Sequence, residues 1–119
     1  MFPTAQPDPK GRTPVSLQHI VLFSFPHDLS ADDDAEMRRQ VAAWPAEIGG
    51  MTGIRLGRSI NEERTRGYQY LLYTEFPDVE TLVTYQKHPV HQVFLRWVLD
   101  RNCTPLAFDY ALDDTTVIL

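Results

Sequence analysis

The side chains of this sequence best suited to chemistry at neutral pH gather in one short segment, where Tyr85, His88 and His91 surround Pro89. Imidazole titrates near neutrality, so a histidine there can take up or return a proton. His88 and His91, three residues apart at a predicted helix start, also have the spacing of two metal ligands. A stable site needs further ligands, and neither a His-Glu-x-x-His motif nor a cysteine pair supplies them, so no metal is expected. Cys103 is the sole cysteine, which excludes an intrachain disulfide and a cysteine-based zinc cluster. Nothing in the sequence identifies a base that would activate it. His19 shares a predicted strand face with Val21 and Phe23, and its plain alternative is a buried strand histidine bonded to a neighbour. The plain alternative for Tyr85 and His91 is that they satisfy backbone groups at the helix break around Pro89.

These side chains need elements to position them. Val15 to Phe25 alternates, with Val15, Leu17, His19, Val21, Phe23 and Phe25 on one face, which predicts a first strand. Ile20 and Leu22 make its second face partly apolar, as in a strand that is central in a sheet or lies at an interface. Ser30 with Asp33 reads as a capping box, so a helix is expected from about Ala31. Its stripe is Met37, Val41, Trp44 and Ile48, and Pro45 is expected to end or bend it near Trp44. Met51 to Ile60 and Tyr68 to Phe76 read as strands joined by a charged hairpin loop over Asn61 to Gly67. Pro77-Asp78 opens a short helix through Val79, Leu82 and Val83, and His88-Pro89 interrupts it. Pro89 suits the first position of a following helix that buries Val90, Val93, Phe94, Trp97 and Val98. A final strand runs from Leu106 to Leu112.

The order strand, helix, strand, strand, broken helix, strand is the split βαβ pattern of an α+β, ferredoxin-like fold. Residues 15–112 form its body, between a proline-rich tail at 1–14 and a short tail at 113–119. Helices cover only one face of such a four-stranded antiparallel sheet, so its other apolar face calls for a partner, most simply a second copy of the chain. The chain has 119 residues, 43% of them hydrophobic, enough for one core. A net charge of -5 repels nucleic acid and anionic membrane surfaces, so neither is expected as a partner. No apolar run approaches the roughly 20 residues of a membrane span. The first fourteen residues lack the pattern of a secretory signal, which makes a cytoplasmic location the expectation.

His19 to Phe25, Gly67-Tyr68, Tyr85 to Phe94 and Phe108-Asp109-Tyr110 together resemble the stress-responsive dimeric α/β-barrel family, over about Leu17 to Leu112. The resemblance implies a ferredoxin-like subunit whose sheet pairs with that of a second subunit in a dimeric barrel. The family includes plant polyketide cyclases that close a chain by an intramolecular aldol step without a cofactor, plant stress proteins and many bacterial proteins of unknown role. It implies His91 as the base and Tyr85 as the donor to the developing oxyanion. It also implies that His19 lines the cavity. Tyr70 stands where the cyclases carry a histidine, and Met37, Arg38 and Val41 stand where the plant enzyme is aromatic. The expected lining for a small apolar carbonyl ligand is thus His19, Val21, Phe23, Met37, Val41, Ile54, Tyr70, Leu72, His88 and Phe94. Two other readings stand beside it: a non-enzymatic dimeric stress or assembly protein, and a cofactor-less monooxygenase.

Overall fold

The computed structural model describes residues 16–119; the expected tail at 1–14 and Val15 lie outside them. In chain order the elements are β1 (Ser16–Ser24), α1 (Ala31–Glu47), β2 (Gly53–Arg58), β3 (Tyr70–Phe76), α2 (Val79–Lys87), α3 (Pro89–Asp100) and β4 (Thr104–Leu112). The strands form one antiparallel sheet in the order β2-β3-β1-β4, the ferredoxin-like arrangement, with β1 central.

Register assigns every strand residue to a face. Ile54, Thr74, His19 and Asp109 lie side by side across the four strands, as do Leu56, Leu72, Val21 and Ala107. These rows face the helices. There they meet Met37, Val41 and Trp44 of α1, Leu82 and Tyr85 of α2, and Phe94 and Val98 of α3 in one core. Burying each large apolar side chain of this kind contributes about 1.5–3 kcal/mol. The alternate rows, Arg55-Tyr73-Ile20-Phe108 and Gly57-Leu71-Leu22-Leu106, have no helix over them among the described residues. Leu71, Leu106, Phe108 and Tyr110 are exposed on that face.

Ser30 caps α1, its hydroxyl accepting from the Asp33 N–H at 3.1 Å. The Asp33 carboxylate takes the fork of Arg101 instead of closing the capping box, at 3.0 and 3.1 Å, and ties the start of α1 to the end of α3. Pro45 does not end α1 at Trp44, since the helix continues three residues further, to Glu47. The proline sits in the last turn and supplies no N–H to the carbonyl four residues back, that of Val41, while the Ile48 and Gly49 N–H groups both reach the Trp44 carbonyl. Gly49 and Gly50 then turn the chain at φ of 75° and 85°, a region costly for other residues. On α3, Val93 is exposed, because the core engages the side of the helix that carries Val90, Phe94, Leu95, Trp97 and Val98.

Candidate active site

Proline chemistry builds the site. A residue before proline is driven out of the helical region, and His88 sits at φ -63°, ψ 136°, so the chain breaks into α2 and α3 there. Tyr85, in the last turn of α2, and His91, in the first turn of α3, are thereby folded toward each other with ring centroids 4.4 Å apart. His88 itself is committed to the break: its Nδ1 accepts from the Val90 N–H at 3.1 Å and caps α3. It is the helix cap that the sequence could equally have assigned to Tyr85 or His91.

Trp44 of α1 closes the group, 5.6 Å from both the Tyr85 and the His91 rings. Phe76 lies 4.9 Å from Tyr85, Phe94 lies 5.0 Å from Trp44, and Phe23 lies 5.9 Å from Phe94. His19 meets Tyr85 edge-on at 6.0 Å, while its Nδ1 donates to the carboxylate of Asp109, its cross-strand neighbour on β4. That bond fixes the His19 ring and leaves Nε2 as its other edge.

Polar satisfaction is uneven here. The Tyr85 hydroxyl, His91 Nδ1 and Trp44 Nε1 are buried without a hydrogen-bond partner. Burial pushes the Tyr85 phenol far above its usual range, and the nearby Thr74 side chain offsets only part of that, so Tyr85 keeps its proton. Burial lowers the His91 pKa; the Gln86 carbonyl opposes this and the neighbouring His19 adds to it, leaving a neutral ring at pH 7. With its hydrogen on Nε2, that ring presents a free lone pair at Nδ1.

The remaining predicted lining residues divide. Phe23 and Phe94 join the ring cluster; Met37, Val41 and Leu72 are buried in the surrounding core, with Val21 and Ile54 half-buried against it. Tyr70 is buried at a separate polar contact, donating to Asp34 at 2.5 Å and accepting from Arg58 at 3.4 Å, so its hydroxyl is already committed. A groove of about 350 Å³ between α1 and α3 is lined by Glu36, Arg39, Gln40 and Glu47 on one side and Val90, Val93 and Trp97 on the other; Trp44, Tyr85 and His91 do not line it. Among the described residues no group of three or more His, Cys, Asp or Glu side chains is placed to hold a metal ion. Among them, too, no helix is long and apolar enough to cross a membrane.

Asp109 and Trp44 were not among the residues singled out for chemistry. Asp109 stands 90 positions from His19, and only the β1–β4 register brings them together. Trp44 fell on the expected apolar stripe of α1, and only its unbonded N–H sets it apart.

The model of the stress responsive A/B barrel domain matches residues 17–112. The chain belongs to this family. No curated protein sequence matches it. An Arabidopsis thaliana protein shares the fold at a TM-score of 0.71 and 26% identity, over 87% of this chain and 99% of that one. A dimeric Bacteroides fragilis protein of unknown function and ferredoxin-like fold gives 0.68 and 23%, over 82% and 96%. A hydroxynitrile lyase from Passiflora edulis gives 0.76 and 16%, over 88% and 100%. At such low identity the last two likenesses concern fold alone.

Proposed function

We propose that this A/B barrel protein binds a small, largely apolar carbonyl compound and moves a proton on it without a cofactor, with His91 as base and Tyr85 as hydrogen-bond donor. One observation carries the reading: two polar atoms of complementary chemistry, a phenol O–H and an imidazole nitrogen, are buried beside each other with no partner in the protein. Leaving such groups unsatisfied costs about 1–3 kcal/mol each, and native cores rarely tolerate it without a use. A bound carbonyl would satisfy the phenol, and a C–H next to it would face the imidazole.

The step balances on these two groups. His91 takes the proton from the carbon next to the carbonyl, and the C–H electron pair becomes the enolate double bond. The carbonyl oxygen takes the charge and the Tyr85 O–H stabilises it. Addition of the enolate carbon to a second carbonyl of the same molecule forms the new carbon–carbon bond, and the imidazolium returns its proton to the resulting alkoxide. This is aldol-type cyclisation; proton exchange alone is the same path without the addition. A hydroxynitrile lyase has this fold, which supports an enzymatic reading by analogy of fold alone.

The working unit of this reading is a homodimer joined through the open sheet face, in a reducing, cytoplasmic setting. The dimeric relative of the same fold and the exposed Leu71, Leu106, Phe108 and Tyr110 support that pairing. The competing reading, a non-enzymatic dimer, is favoured by the close ring packing around Tyr85, in which the pair would be architectural.

The test is deuterium exchange next to the carbonyl in a panel of aryl ketones and 1,3-diketones, followed by NMR. Catalysed exchange is expected, reduced about 100-fold in His91→Gln and about tenfold or more in Tyr85→Phe. Equal rates in wild type and His91→Gln for every compound would overturn the assignment.

A further inference from the structure

Among the described residues, the buried side-chain polar atoms without a partner are three, and all three sit on rings that touch one another. Two belong to the pair already assigned. The third, Trp44 Nε1, is on a residue with no exposed surface, in a helix whose stripe would be filled as well by a purely apolar ring. Indole offers one donor and no acceptor, and a buried tryptophan N–H usually finds a partner.

A carbonyl oxygen has two lone pairs and accepts two hydrogen bonds, and as it gains charge both bonds strengthen. Tyr85 supplies one donor. Building on the His91–Tyr85 reading, we propose that Trp44 supplies the second: its indole N–H and the Tyr85 O–H form a two-donor receptor for an enolate-type oxygen. The ligand class follows from the chemistry. It is a planar carbonyl compound that forms a delocalised oxyanion and has apolar flanks to lie against Phe76 and Phe94.

A phenolate is a planar oxyanion that copies an enolate without reacting, so 4-nitrophenol serves as the probe. The sequence has two tryptophans, Trp44 and Trp97, which give two indole N–H signals in a ¹H–¹⁵N spectrum, assigned by Trp97→Phe. On adding the probe, the Trp44 signal is expected to shift strongly and the Trp97 signal little. Trp44→Phe, which keeps a ring but removes the donor, is expected to weaken phenolate binding about tenfold or more, as is Tyr85→Phe. Should Trp44→Phe not fold, the wild-type spectrum still decides. If the probe binds in a Tyr85-dependent way while the Trp44 signal stays still, the two-donor receptor is overturned and the His91–Tyr85 reading stands. If the wild type binds no phenolate, both fall.

Discussion

Replacing Tyr85 by Phe tests the site argument without needing a substrate. The substitution removes one oxygen and keeps the ring that packs against Phe76 at 4.9 Å, His91 at 4.4 Å and Trp44 at 5.6 Å. Tyr85 is only 1% exposed and its hydroxyl has no partner at hydrogen-bond geometry, so folding strips that hydroxyl of water and the nearby Thr74 side chain offsets only part of the loss. Removing an unsatisfied buried hydroxyl recovers about 1–3 kcal/mol of desolvation cost. The vacated volume, about that of one oxygen, takes back part of this, leaving a net gain of about 1 kcal/mol. For a domain of this size that raises Tm by roughly 3–6 °C. The natural control is Tyr70→Phe, whose hydroxyl bonds Asp34 and Arg58 and whose loss should cost about 1 kcal/mol. Both variants are to be unfolded by urea and by heat at one fixed protein concentration, because dimerisation makes stability concentration-dependent. If Tyr85→Phe is destabilised as much as Tyr70→Phe, its hydroxyl is bonded in the native protein, and the reasoning from orphaned groups to function is refuted.

Two further outcomes follow from other parts of the molecule. Burial lowers the His91 pKa below its ordinary 6.5, so the unfolded chain binds this proton more readily than the folded one. Its contribution to stability should therefore be complete above about pH 6.5 and fall as the pH drops toward the folded value. Urea unfolding between pH 5 and 8 should show a shallower acid-side loss in His91→Phe, and an unchanged slope would contradict the buried, neutral ring. On the open face, Phe108→Asp sets a charge amid Ile20, Tyr73 and Tyr110 and should convert a species of twice 13.7 kDa into a monomer by light scattering. A variant that keeps the doubled mass would place the interface elsewhere.

Much of the frame was legible in local patterns, because local physics sets them. Alternation from Val15 to Phe25 announced β1, observed over Ser16–Ser24, Ser30 marked the start of α1, and His88-Pro89 marked the break between α2 and α3. Since that break lies within seven residues, the meeting of Tyr85 and His91 was also foreseeable. Pro45 marked the end of α1 only to within a turn, at Glu47 rather than Trp44, because a proline withdraws a donor from the turn before it and does not stop the next residues from completing the last turn. Val93 misled: helical spacing marks a face, and only the packed neighbours decide how wide a face is covered.

By itself the amino-acid order determined which elements form, their order, and the apolar face left without a helix, since each depends on period, capping and proline within a few residues. Only the tertiary structure decided that Asp109 holds His19, that Arg101 reaches Asp33, and that Trp44 lies against Tyr85 and His91 with its N–H unbonded. Those facts join residues tens of positions apart. Whether a polar atom finds a partner depends on strand register and on helices packed from elsewhere in the chain, and no local pattern encodes it.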